Sequence, residues 1–401
     1  MKRIITLSLV ATMGTTMAFG STASDLQEMK AEIAALKTEV ASLKGKDEKI
    51  VKTLNKVKAH DANDNIKWGV DLRTSVDNIN YDLADGTSKG NDSLMGMRLW
   101  LNMAYAVDSH NIFKGRLSMN KAFGADFGAR GGRSHGLGEM FDWTGNAALA
   151  DNSLRVREAY WLYLGDDLFG ADIPWTFSLG RRPSGGGFLA NLREDDAAAS
   201  PLAHVINVEF DGLSSKLDLS NITGVPGMSF KVCMGRGSTN ATPLFADGTP
   251  YAENDGLSNI DLAGFIFEPY NDGQFIVKTT YYKAFDLPGM DVDMSTGEPL
   301  GFLQYGDMSG AAISILVDGL TEDGYFADAK VFGSFAWSET DPYEGQAMLG
   351  SAEQESGTSY WFGAQLPIDD EGKGVFGLEY NHGSQYWRPF TYAEDTMIGS
   401  K

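Results

Sequence analysis

The sequence predicts an all-β protein. It reads as a transmembrane antiparallel up-and-down β-barrel, about 16 strands when complete, preceded by a short α-helical coiled coil. Three observations carry this. From Lys67 onward, apolar and polar side chains alternate with period two. The alternating runs pair across short turns and are joined by long loops. An export signal opens the chain, and no apolar run long enough for a membrane helix follows it.

The signal occupies residues 1–20. Lys2 and Arg3 precede an apolar run from Ile4 to Met17, and small residues follow at Ala18-Phe19-Gly20, with cleavage expected near Gly20 or Ala23. Cys233 is the single cysteine, so no intrachain disulfide forms. Residues 21–60 follow. Leu26, Ile33, Val40 and Leu54 repeat in one heptad register, and Met29, Leu36, Leu43, Ile50 and Val57 in the other, broken only at Asp47. Roughly five heptads with charges between them predict a coiled coil, with a single amphipathic helix as the alternative. Residues 61–66 form a polar linker, and 67–401 form the barrel domain.

The barrel begins with one strand, Trp68 to Val76, and continues through six hairpins. They pair 94–107 with 112–121, the two runs inside 154–182, 206–219 with 228–235, 260–268 with 275–284, 311–317 with 327–337, and 359–366 with 374–382. The second hairpin shows the grammar most clearly. Val156, Tyr160, Leu162 and Leu164 share one parity, and Arg155, Arg157 and Ala159 the other. Across the turn, Trp175, Phe177 and Leu179 alternate with Thr176, Ser178, Gly180 and Arg182. Glu158 falls on the apolar parity, which places it near a membrane edge or at a bulge.

The loops at 122–152, 183–205, 236–258, 285–308 and 339–357 are long and rich in Gly, Asp, Ser and Pro. Short turns on one side and long loops on the other are the asymmetry of outer-membrane barrels. Aromatics such as Trp68, Tyr105, Trp175, Tyr281, Trp337 and Tyr360 are expected in interfacial girdles. A hydrocarbon layer admits only helices or closed barrels, and this chain offers no membrane helix. A soluble β-rich domain is the rival fold. The strand and hairpins make thirteen, whereas a closed barrel of this kind has an even number. The chain is therefore expected to lack its last strand or strands.

The formal net charge is −21, or −23 once Lys2 and Arg3 are removed with the signal. That balance excludes non-specific nucleic-acid binding, which needs a cationic surface. Against it, the polar parity of the first strands collects bases. Arg73, Arg98, Lys114, Arg116, Arg155, Arg157 and Arg182 form a candidate pore-lining basic wall, with Asp71 and Asp77 as the acids among them. The loop 122–152 carries Asp126, Glu139, Asp142 and Asp151, along with Arg130 and Arg133. Folded inward, its acids Asp126, Glu139 and Asp142 would face the bases across a constriction, an arrangement that sets selectivity in channels. The plainer alternative is that these charges simply pair across neighbouring strands.

No catalytic or metal site is legible. Gly132-Arg133-Ser134-His135-Gly136 matches G-x-S-x-G but lacks the following helix that a nucleophile elbow requires. Gly185-Gly186-Gly187 lacks the Gly-Lys-Ser/Thr ending of a phosphate loop. His60, His110, His135, His204 and His382 have no metal-ligand spacing, and Asp291, Asp293 and Glu298 do not match a calcium loop. No cofactor is expected.

The blocks VREAYWLYLG, FSLGRRPSGGGFLANLRE and HGSQYWRPFTYAEDTMIGSK, together with the signal and coiled coil, resemble a family of Gram-negative outer-membrane porins catalogued as a domain of unknown function. The resemblance implies a porin role and brings no catalytic residues. The expected function is thus a passive outer-membrane channel for small hydrophilic solutes or ions. The alternative is a structural barrel tethered to the cell wall. Residues 25–57 would lie in the periplasm and join two or three copies, or span roughly 50 Å towards the wall. The expected partners are outer-membrane lipid, further copies of the chain and the cell wall, and not nucleic acid.

Overall fold

The computed structural model describes residues 66–391 except 83–85, 125–148, 150–151, 184–186, 195–198, 243, 245–247, 254–257, 293–298 and 369–373. The signal peptide, the coiled coil, most of the linker and the loop acids Asp126, Glu139 and Asp142 lie outside the described residues.

The period-two segments all become strands. They are β1 (Lys67–Asp82), β2 (Ser88–Ala106), β3 (Asn111–Ala122), β4 (Arg155–Gly165), β5 (Trp175–Pro183), and the short β6 (Gly187–Phe188), β7 (Ala199–Leu202) and β8 (Ile206–Asn207). Then follow β9 (Glu209–Asp218), β10 (Ser229–Ser238), β11 (Ile260–Asn271), β12 (Phe275–Val292), β13 (Pro299–Asp318), β14 (Lys330–Pro342), β15 (Glu355–Pro367), β16 (Val375–Gly383) and the short β17 (Phe390–Thr391). One antiparallel sheet of thirteen strands runs β1-β2-β3-β4-β5-β9-β10-β11-β12-β13-β14-β15-β16. This is the expected single strand followed by six hairpins, each next to its predecessor. Among the described residues no helix is long and apolar enough to cross a membrane.

The short turns are built from local side chains. Asp108 Oδ1 accepts the amides of His110 at 2.8 Å and Asn111 at 2.7 Å. Asp272 Oδ1 likewise accepts those of Gln274 at 2.9 Å and Phe275 at 2.7 Å. Such Asx turns satisfy backbone donors that a two-strand reversal leaves open.

Two readings are corrected. The loop expected at 285–308 is mostly strand, because β12 runs to Val292 and β13 starts at Pro299. Pro288, which would normally end a central strand, is paired with Gln304 between register shifts, and such irregularity is where a sheet tolerates proline. The second correction concerns β4. Arg116 pairs with Glu158 but Leu117 pairs with Val156, so Arg157 is an extra, bulged residue. The bulge reverses the parity downstream. Tyr160 and Leu162 lie opposite Lys114 and Ile112, while Trp161 and Tyr163 take the apolar face, 6.0 Å from Phe177 and 5.3 Å from Trp175 respectively.

The two faces of the sheet differ in kind. One is apolar and open: even on central strands, Ile313 is 44% exposed, and Phe335 and Phe362 are each 52% exposed. Trp68, Val70 and Leu72 on β1, Leu179 on β5, Met234 on β10 and Leu378 on β16 extend that face across the sheet. The other face is covered and carries small or polar side chains, including Ser178, Ser214, Ser314, Ser334 and Ser359, all buried.

Candidate functional site

The covered face receives a segment from its own chain, residues 187–208 between β5 and β9. Its sequence does not alternate; it places Phe188, Leu189, Leu202, Val205, Ile206 and Val208 where all are buried, in one cluster with Leu262, Tyr282, Ala336, Trp361 and Phe390 from the sheet and from β17. Each such side chain taken from water contributes about 1.5–3 kcal/mol. The described backbone of the segment finds partners outside the main sheet. Ala190–Glu194 make a helical turn, β8 pairs in parallel with β17, and the Phe390 amide donates to Val205 O at 2.9 Å. Gln365 Nε2 donates to Leu192 O at 3.1 Å, and Arg193 Nη2 lies 2.7 Å from Glu379 Oε1. Gly310 makes the docking possible: a Cβ there would meet the Tyr282 ring at 2.5 Å and Val205 Cγ2 at 2.8 Å.

His204 pins this segment. Its Nδ1 lies 2.7 Å from Ser334 Oγ and its Nε2 2.9 Å from Ser359 Oγ, and Trp361 and Trp387 pack edge-on at 5.7 and 5.5 Å. Both ring nitrogens are engaged by neutral hydroxyls in an apolar surround. Burial pulls the imidazole down from 6.5 to about 4, so it is neutral at ordinary pH.

The seven bases expected to form a wall come from five consecutive strands, β1 to β5. Arg73 lies opposite Arg98, Arg98 opposite Asn120, Arg116 opposite Asn102 and Arg155 opposite Ser118. The structure divides them by burial. Arg98 and Arg157 are buried, Lys114 is exposed, and Arg73, Arg116, Arg155 and Arg182 are intermediate. Three guanidinium groups gather on one indole: Arg98, Arg116 and Arg157 lie 3.5, 4.2 and 5.0 Å from the Trp100 ring. Such stacking offsets part of the desolvation cost of the charges.

Carboxylates complete the cluster. Asp71 lies 3.1 Å from Arg98 and 3.6 Å from Arg73, and Glu158 lies 3.1 Å from Arg116. Glu209, fully buried, lies 3.3 Å from Arg157 and 3.2 Å from Arg181. Glu209 and Arg181 are not candidates on the sequence reading. Glu158, expected near a membrane edge or at a bulge, pairs with Arg116 beside the bulged Arg157. Glu209 adjoins the non-alternating segment, where parity gives no guidance. Arg182 differs from the rest: its Nη1 donates to Ser178 Oγ at 2.5 Å and Ser214 Oγ at 2.7 Å, and its guanidinium lies 4.6 Å from the Tyr160 ring. Among the described residues no group of three His, Cys, Asp or Glu side chains could hold a metal ion.

Residues 88–401 match the model of a family described as a protein of unknown function, DUF3373. No functionally curated protein matches. Among solved structures, the chain is similar to OmpF of Salmonella typhi in complex with daunomycin, at 11% identity over 80% of this chain and 99% of that one, with a TM-score of 0.38. It is similar to OprB of Pseudomonas putida at 12% identity over 80% and 79% of the chains, TM-score 0.37. OmpT, an outer membrane protein of Vibrio cholerae, aligns at 13% identity over 79% and 86%, TM-score 0.35. Likenesses this distant carry no weight for function.

Proposed function

We propose that the chain, which belongs to the DUF3373 family, is an outer-membrane channel that passes small hydrophilic solutes or ions by diffusion. The single observation behind this reading is the division of the sheet. An open apolar face spans thirteen strands, opposite a covered face that carries buried serines and ion pairs beside the apolar cluster packed on the insert. A soluble protein does not leave so large an apolar face in water, whereas a hydrocarbon layer requires one. In this reading the covered face bounds a polar lumen, and segment 187–208 narrows it. Arg73, Lys114, Arg116, Arg155 and Arg182, not fully buried, supply the lumenal field, and bases outnumber acids there. The channel therefore prefers anions. Arg98 and Arg157, being buried, hold the wall together rather than face solutes. Residues 25–57 associate copies of the chain in the periplasm or reach the cell wall.

Planar-bilayer recording tests this. Full-length protein refolded into bilayers should give stable ohmic steps with an anion-leaning reversal potential in a salt gradient. A structural barrel tethered to the cell wall would instead fold, migrate heat-modifiably and pass no current. Its cell-wall association would disappear on deleting residues 21–65.

A further inference from the structure

Between segment 187–208 and strands β5 and β9 to β12 lies a half-open cavity whose empty space, with the open mouth counted, is about 740 Å³. Four glycines, Gly180, Gly212, Gly235 and Gly264, line it together, and a Cβ on any of them would run into a neighbouring strand. Ile206 and Val208 of the segment and Leu262 and Ile266 of β11 make its walls apolar. Arg182 and Lys231 are its charged groups, and no carboxylate lines it among the described residues.

Lys231 lies directly opposite Lys216 in the β9–β10 register, and like charges so placed destabilise a sheet. The nearby acid of β11, Glu268, is ion-paired with Lys278 at 2.9 Å and does not line the cavity. Arg182 is held by the two serine hydroxyls and the Tyr160 ring, which fix its position without neutralising it. A pre-positioned guanidinium and an ammonium beside an apolar chamber are complementary to one kind of ligand.

We propose that this cavity binds a carboxylate with an apolar body, its head between Arg182 and Lys231 and its body against Ile206, Val208, Leu262 and Ile266. The site stands whether or not the barrel conducts. Small inorganic anions would gain the charge contacts alone, and neutral amphiphiles the walls alone. Only an amphipathic anion uses both.

Calorimetric titration of the full chain, refolded and exchanged into amphipol, tests this with three probes of one chain length: octanoate, octanol and octyltrimethylammonium. Octanoate should bind with unit stoichiometry and at least roughly tenfold more tightly than either control. Lys231→Met and Arg182→Met should each weaken octanoate by roughly tenfold or more and leave octanol unchanged. Lys231→Arg, which keeps the charge, should retain binding, and heat-modifiable migration shows which variants are folded. Equal binding of the three probes would overturn the proposal, as would octanoate affinity unmoved in a folded Lys231→Met or Arg182→Met protein. Potassium chloride conductance is read separately, so a barrel that binds octanoate but passes no current counts against the channel and not against the site.

Discussion

At Arg157 charge and burial conflict most sharply. The side chain is 1% exposed and its Nη2 has no hydrogen-bond acceptor among the described residues, yet it sits in the bulge of β4 with Glu209 on one side and Trp100 on the other. Removing one member of a buried ion pair typically costs about 3–5 kcal/mol, because the other is left charged in a low-dielectric site. Glu209→Gln strands Arg157 and takes one of two carboxylates from Arg181, which keeps Asp211, so it should destabilise more than Arg157→Met, which leaves Glu209 its pair with Arg181. Urea unfolding of the refolded protein, followed by tryptophan emission, reads the order; a Glu209→Gln protein as stable as wild type would contradict it. Arg155 is the contrasting case, opposite Ser118 and only partly covered. Arg155→Glu should fold normally and move the reversal potential towards cations, and an unmoved potential would remove Arg155 from the lumen. Alternation alone collects the seven bases on one polar parity of the sequence. What alternation could not give was their division into buried and accessible groups, which depends on the bulge and on the stacking around Trp100.

At the scale of elements, segment 187–208 behaves as a docked insert, and His204 is its most sensitive contact. Its imidazole is held near 4 when docked, against an ordinary 6.5, so the docked state binds fewer protons than the undocked one between those values. Docking stability is therefore complete above about pH 6.5 and falls by a few kcal/mol as pH is lowered towards 4. The groups facing the ring are the Ser334 and Ser359 hydroxyls and the Trp361 and Trp387 rings. Glu379 accepts from Trp361 Nε1 and pairs with Arg193. Limited proteolysis of the refolded protein should cut within 187–208 faster at pH 4.5 than at pH 7.5. His204→Gln should flatten that dependence, and a profile unchanged by the substitution would assign the acid sensitivity elsewhere. Gly310→Val should expose the same segment at every pH by filling the space that Val205 and the Tyr282 ring need. The hairpins were legible because each turn carries its own Asp or Gly and each strand its own alternation. The insert was not: GFLANLREDDAAASPLAHVINV has no period, and its apolar residues find their partners far away, on Tyr282, Trp361 and Phe390. Tertiary packing alone decides such a segment.

For the whole molecule, the account rests on the open apolar face being a lipid contact and the covered face a lumen. A cation placed at the middle of a lipid-facing strand costs about 2–4 kcal/mol. Ile313→Arg and Phe335→Arg should thus impair folding into bilayers while leaving assembly in mild detergent nearly intact. Equal folding yields in vesicles for these variants and wild type would contradict the assignment of that face. The measurement that bears most directly on function is single-channel conductance of the full-length protein in a planar bilayer under a salt gradient. An anion-leaning channel should give discrete ohmic steps and a reversal potential of anion sign that Arg155→Glu displaces towards cations. A folded, heat-modifiable protein that inserts and passes no current would contradict it.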